Sequence, residues 1–258
     1  MADTRQAINN QERPGTKADG TLYCVGLGPG DPDLMTVKSR RLLSTAKFVA
    51  YFHKRGKRGN ARTIADGLYS NEAHELAMEY PMTTEAPVES RQYQTALKSF
   101  YDDKSQELAK HLKRGEDIVV LCEGDPFFYG SFMHLYLRLR DTHNIEVVPG
   151  VTGMSGGWTN SGHPITYGDD VMSVLPGSLP EDALGRGLGQ CDAAVIMKIG
   201  RNMAKVRRAL TAAGLLERAI YVERGTMTDE VILPLAQKES DDAPYFSLIL
   251  VPGQGRRL

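Results

Sequence analysis

The residues best placed for chemistry lie in three glycine-rich turns: Gly26 to Asp31 (GLGPGD), Glu123 to Gly130 (EGDPFFYG) and Pro149 to Gly157 (PGVTGMSGG). The first follows the apolar run Thr21–Val25 and precedes a helix-like segment, an arrangement that can place backbone N–H groups against a pyrophosphate. Its spacing argues against a dinucleotide. Gly26, Gly28 and Gly30 follow G-x-G-x-G, and Asp31 stands where the third fingerprint glycine belongs. A carboxylate there repels a diphosphate, and Pro29 and Pro32 each remove an amide from any phosphate cradle. The acidic residue expected about 20 positions later is also missing, because the next apolar run, AKFVAYF, leads into HKRGKR.

The second turn ends the apolar run Ile118–Cys122, at the position where open α/β sheets bind ligands, outside the carboxyl ends of strands. Gly124 permits close approach of backbone to ligand. Asp125 supplies either an acceptor there or a cap for a helix expected from near Tyr129. In the third turn, Gly153-Met154-Ser155-Gly156-Gly157 matches the G-x-S-x-G elbow of serine hydrolases. Four residues, Pro149 to Thr152, separate it from the preceding strand, and the one histidine that follows, His163, comes with no acid between. The elbow requires a serine directly on the strand-to-helix turn, then an acid, then a histidine, so a hydrolase does not fit.

The elements that must position these turns recur along the chain. Runs rich in Val, Ile, Leu and Tyr (TLYCV, AKFVAYF, DIVVLC, IEVV, DVMSVL, AAVIM, AIYV, YFSLILV) alternate with helix-like segments at Val37–Ser44, Ser90–Arg114, Tyr129–Arg140 and Met203–Ala213. That alternation predicts α/β architecture with largely parallel sheets. A hinge-like stretch from Val147 divides the chain into two α/β domains, residues 21–147 and 148–258, with a ligand cleft expected between them. The segment LPGSLPEDALGRGLGQ reads as a long loop containing helix-capable residues. The first twenty residues contain no signal-peptide core and are expected to form a disordered polar tail.

The 258 residues carry a net charge of −1, with 41% apolar and 24% charged residues, a soluble globular composition that does not suggest a nucleic-acid binder. No apolar run reaches the ~20 residues of a membrane span, and a cytoplasmic protein is expected. Cys24, Cys122 and Cys191 are far apart and adjoin apolar runs, as reduced, mostly buried thiols do. The scattered histidines give no metal-ligand spacing, so no protein-bound metal is expected. The cluster Lys54, Arg55, Lys57, Arg58 and Arg62 is either a solvated loop or an anion-recognition surface.

Taken in order, VGLGPGDPDLMTVKSRRLL, EGDPFFYGS, VVPGVTGMSGGW, VIMKIGRN and YVERGTM resemble the tetrapyrrole methylases, S-adenosylmethionine-dependent enzymes of cobalamin and sirohaem synthesis. The resemblance runs from about Thr21 to the C-terminal VPGQGRR. EGDPFFYGSFM, TGMSGGW and YVERGTM are most similar to members that methylate precorrin-2 at C-20 to give precorrin-3A. It implies two α/β domains, a homodimer, and a methyl donor folded between the domains. Carried over by position, Pro29, Glu123, Gly124, Asp125, Phe128, Thr152, Gly153, Met197, Gly225 and Thr226 would bind S-adenosylmethionine. Glu123, Gly124 and Asp125 would do so through their backbone, and Met197 would pack on the adenine. Gly30 and Asp31 would help form the substrate trough, and Lys54, Arg55, Lys57 and Arg58 could pair with the acid side chains of the macrocycle. No catalytic residue is assigned. Within the family the rivals are a uroporphyrinogen III methylase, which usually carries GGDP in place of EGDP, and a methylase acting on the cobalt-containing macrocycle. From other classes come an NADP-dependent oxidoreductase using HKRGKR for the 2′-phosphate, and a module that holds tetrapyrrole without turnover.

Overall fold

The computed structural model describes residues 19–82 and 90–255. The expected polar tail, up to residue 18, and the last residues of VPGQGRR lie outside the described residues. The chain divides into two units. One runs through Gly28 and continues over Pro32–Val151; the other joins Pro29–Asp31 to the chain from Thr152 onward.

The first unit is built on five parallel strands, β1 Thr21–Gly26, β2 Phe48–His53, β3 His74–Glu79, β4 Ile118–Cys122 and β5 Asn144–Val148, in the order β3-β2-β4-β1-β5. Four helices cover it: α1 Val37–Ser44, α2 Asn60–Ile64, α3 Arg91–Leu112 and α4 Phe132–Leu139. α1 begins where Thr36 accepts a hydrogen bond from the Ser39 N–H, and α3 where Ser90 accepts from Tyr93. Every residue of β4 is buried, as a central strand covered on both faces requires. One face of the sheet packs Val25, Val119 and Leu121 on Leu43 of α1 and Ile64 of α2. The other packs Leu22, Val120 and Cys122 on Leu108 of α3 and Leu135 of α4. Cys24 and Cys122 meet on this second face with their sulfurs 3.3 Å apart, and burial, then the hydrogen bond to Cys122, push the Cys24 thiol well up. All three cysteines are free; Cys191 is half-buried.

β3 was not expected. HELAME contains no β-branched residue and reads as helix, yet it pairs with β2 residue by residue from Phe48 with His74 to His53 with Glu79. It is an edge strand burying little more than Leu76 and Met78. The helix expected from near Tyr129 starts instead at Phe132, because Tyr129 adopts a left-handed φ of 57° and closes the preceding turn.

The second unit holds β6 Met172–Pro176, β7 Ala193–Met197, β8 Ile220–Glu223, β9 Val231–Pro234 and β10 Ser247–Val251 in the order β6-β7-β10-β8-β9, with α5 Gly153–Asn160, α6 Glu181–Gly189 and α7 Met203–Ala212. Its sheet is mixed: β6 and β7 run parallel, while β10 lies antiparallel between β7 and β8, and β9 returns from β8 as a hairpin. The segment expected as a long loop contains α6, whose Leu184 and Leu188 are buried with Val206 and Leu210 of α7. α5 is helical despite three glycines. Methyl groups at Gly156 would lie 2.7 Å from Pro29 Cβ and 2.8 Å from Thr226 Cγ2, so this helix exists for close packing and not for propensity. Among the described residues, no helix is long and apolar enough to cross a membrane.

Candidate functional site

The connection from β1 to β2 passes over the sheet face covered by α1, and that from β4 to β5 over the face covered by α4. The two diverge at the carboxyl ends of the adjacent strands β1 and β4, the topological switch point at which open α/β sheets bind ligands. There the turns meet through bare backbone. Leu27 N donates to Cys122 O at 2.9 Å and Gly124 N to Gly28 O at 2.8 Å, forming a short antiparallel bridge beyond the parallel ladder. Gly124 takes φ 61°, which turns the chain out of β4. From the other side of β1 comes Gly150. A methyl at Gly26 would lie 2.6 Å from both the Gly124 oxygen and the Gly150 Cα, and one at Gly150 would overlap the Gly124 oxygen. Gly26 and Gly150 were therefore underrated in the sequence, where they stood only as parts of motifs.

Asp125 joins two of these turns. Its Oδ1 accepts from Phe127 N at 2.9 Å and its Oδ2 from Gly150 N at 3.1 Å. The helix-cap reading of Asp125 is thereby corrected: α4 starts six residues later than Asp125's neighbour Pro126, its N-cap Ser131 makes no side-chain cap bond, and Asp125 spends both oxygens on the turn itself. Phe128 stacks at an angle on Tyr129, ring centroids 4.8 Å apart. Glu123 points elsewhere, its Oε1 accepting from Ala61 N at 3.1 Å. Burial pushes its carboxyl above the usual range, opposed by its own backbone N–H and that of Ala61.

In the second unit, Pro29, Gly30 and Asp31 are brought together with Gly225 and Thr226. Asp31 N donates to Thr226 Oγ1 at 3.1 Å, Pro29 fills the space left open at Gly156, and a methyl at Gly30 would overlap Met227. Thr226 is left-handed at φ 68°, an outlier for a β-branched residue, and its N–H donates to Glu230 Oε2 at 2.5 Å. Arg224 (φ 48°) and Lys198 (φ 55°) share this conformation, each inside a motif quoted above. Backbone strain of this kind collects at functional sites. Thr152 caps α5 by accepting from Ser155 N, and Gly153 opens that helix with no atom within 4 Å of a methyl built on it. Met197 lies with Met154, Trp158 and Met172 on the sheet face beside α5, half-buried against Val195, Val222 and Leu248. A polarisable, incompletely covered thioether surface suits an aromatic heterocycle. In sequence, Met154, Trp158 and Met172 each look like an ordinary core residue.

The basic residues do not form one free patch. Arg55 pairs with Glu79 at 3.2 Å and Arg58 grips Asp66 with both terminal nitrogens, while Lys54 and Lys57 are exposed. Arg62 is not in the loop at all; it lies in α2, 13% exposed, bound to Glu75 and Asp66.

Two sheets in these strand orders, with glycine-rich turns meeting at a switch point, define a class. The chain belongs to the tetrapyrrole (corrin/porphyrin) methylases, whose family model matches residues 21–239. It is 51% identical over 234 residues to the precorrin-2 C(20)-methyltransferase of Sinorhizobium sp., covering 91% of this chain and 96% of that one. It is 25% identical to the cobalt-precorrin-2 C(20)-methyltransferase of Salmonella typhimurium, covering 92% and 98%. The fold is shared with the uroporphyrin-III C-methyl transferase of Thermus thermophilus, solved in complex with S-adenyl homocysteine, at a TM-score of 0.63 and 23% identity over 90% of this chain and 92% of that one.

Proposed function

We propose that this protein transfers a methyl group from S-adenosylmethionine to C-20 of precorrin-2, giving precorrin-3A, in cobalamin biosynthesis. The observation that carries the reading is the 51% identity to a precorrin-2 C(20)-methyltransferase along nearly the whole length of both chains. The local chemistry fits the donor, which has no phosphate and so loses nothing from Pro29 and Pro32 in the first turn. When bound, it supplies an electrophilic methyl on a sulfonium centre.

The donor contacts are proposed from both sets of turns. In the first unit, Glu123, Gly124 and Asp125 offer backbone groups and Phe128 an aromatic edge. In the second, Thr152, Gly153, Met197, Gly225 and Thr226 contribute, with Pro29 held in place by Gly156. Gly30 and Asp31 are assigned to the substrate. C-20 of a reduced tetrapyrrole is enamine-like and already nucleophilic, so the protein's task is to hold and orient it. Proximity and orientation supply ~7–11 kcal/mol in well-aligned reactions. No strong base is needed for the bond-forming step. The resemblance supports a homodimer, and a cytoplasmic location is proposed beside it; light scattering of the purified chain and fractionation of its host cells would check the two.

The test is turnover. With S-adenosylmethionine, the chain is expected to add one methyl at C-20 of metal-free precorrin-2, located by NMR of the product. Preference for the cobalt-containing macrocycle or for uroporphyrinogen III would overturn the substrate assignment, and turnover of NADPH would overturn the class.

The loop after β2 is proposed to recognise the acid side chains of the macrocycle. The pairs Arg55–Glu79 and Arg58–Asp66 are exposed, and such pairs are worth ~0.2–1 kcal/mol, so substrate carboxylates can compete for these guanidinium groups. Changing Arg55, Lys57 and Arg58 together to alanine is expected to raise KM for precorrin-2 several-fold, flatten its ionic-strength dependence and leave donor affinity nearly unchanged. Wild-type KM at low salt would identify the loop as merely solvated.

A further inference from the structure

We infer that Glu123 is a positioning residue for macrocycle recognition, its carboxylate tying the turn after β4 to the basic loop after β2. The inference rests on the reading of that loop given above.

Glu123 is the first residue beyond β4. Its chain neighbours Gly124 and Asp125 are committed to Gly28 and Gly150. Its side chain leaves this turn and reaches 62 residues back along the chain, where Oε1 accepts from Ala61 N at 3.1 Å. α2 cannot satisfy that N–H locally. Its N-cap is Gly59, with no side chain to accept. A side chain is excluded there twice over: Gly59 is at φ 88°, and a methyl on it would lie 2.7 Å from the Phe52 oxygen. The serine or aspartate that commonly begins a helix is therefore barred, and the acceptor comes from β4 instead.

Two ion pairs of the loop are weak. Arg55 and Arg58 hold it through ion pairs at the surface, with side chains 84% and 53% exposed. Glu123, by contrast, is half-buried and lies on the turn at the switch point. Where Lys54 to Arg58 stand relative to the end of β4 is thus set at one end by the β2 ladder and at the other by α2, which Ala61 and Ile64 seat in the core and which the Glu123 carboxylate ties to the turn after β4.

The test is a double-mutant cycle on the full chain, using steady-state kinetics with precorrin-2 and amide exchange at Ala61. Glu123→Ala is expected to raise KM for precorrin-2 several-fold with a much smaller fall in kcat, and to speed exchange at Ala61. Glu123→Gln, whose amide oxygen still accepts from Ala61 N, is expected to recover most of the KM. Added to the triple change of Arg55, Lys57 and Arg58, Glu123→Ala should have little further effect, because the residues act through one loop. If the triple change raises KM but Glu123→Ala multiplies it independently, or if glutamine is as damaging as alanine, the inference fails and the loop reading survives. If the triple change leaves KM at the wild-type value, both fall. A loss of donor affinity in Glu123→Gln with unchanged KM for precorrin-2 would place the side chain in the donor site and overturn the inference alone.

Discussion

Gly150→Ala is expected to weaken donor binding about tenfold and to destabilise the first unit. The added methyl would overlap the Gly124 oxygen and lie 2.8 Å from the Gly26 Cα, all backbone atoms that no rotamer change can move aside. Overpacking of this kind typically costs ~1–3 kcal/mol in stability. Relief requires the turn after β4 or the turn after β5 to shift, and either shift displaces the backbone groups assigned to the donor. A displacement worth ~1.4 kcal/mol at that site weakens affinity about tenfold, and calorimetric titration with S-adenosylhomocysteine, alongside thermal unfolding, would measure both losses. Gly153→Ala is the control for crowding. Gly153 has no atom within 4 Å of the added methyl and is the first residue of α5, so alanine there should leave stability undiminished. Weakened donor binding in a fully stable Gly153→Ala protein would mark direct contact with the ligand. Wild-type affinity in a folded Gly150→Ala protein would remove the donor from the switch point altogether.

Asp125 separates two physical roles through its asparagine variant. At a helix N-cap, asparagine and aspartate are nearly equivalent. Here the two carboxylate oxygens each accept from a different backbone N–H, Phe127 within the turn and Gly150 across from β5. Asparagine can serve one of them, and its NH2 then faces the other donor. Asp125→Asn is therefore expected to be harmful, though less so than Asp125→Ala: asparagine leaves one of the two N–H groups without an acceptor and alanine leaves both, at ~1–3 kcal/mol for a buried one. Both should also weaken S-adenosylhomocysteine, since Gly124 and Gly150 lose their common brace. Denaturant unfolding and calorimetry on the two variants decide the matter. An asparagine variant with wild-type stability and affinity would show that one of the two bonds contributes nothing.

The elements that were legible in sequence are those whose signal is local and redundant. α1 begins and ends at the residues expected, Val37 and Ser44, because Thr36 caps it and Leu43 is buried against the sheet. β4 was legible as an unbroken apolar run, as were β7 and β10. β3 and β9 were missed for opposite reasons. HELAME is composed of helix formers and becomes a strand only because the edge of β2 is open to it. VILP is short, ends in proline and is held by β8. α5 and α6 were obscured by glycines whose value lies in what packs on them, Pro29 on Gly156 and Leu175 on Gly187. Propensity averages over neighbours in the chain and carries no information on such partners.

The sequence by itself determined the family and the three turns, because a glycine or proline at a strand end limits the local backbone whatever surrounds it. It also determined that the first turn is unsuited to a diphosphate, which follows from Asp31 and two missing amides. Only the tertiary structure decided which turns meet. Gly26, Gly124 and Gly150 converge because the order β4-β1-β5 places three distant chain segments side by side, and strand order is not written in the periodicity of any one strand. The same holds for side chains that reach across the fold. Asp125 was legible as an acceptor but not as the acceptor for Gly150, and Glu123 was legible as a motif residue but not as the partner of Ala61, because hydrogen bonds between distant segments depend on the packing that brings them within 3 Å or so.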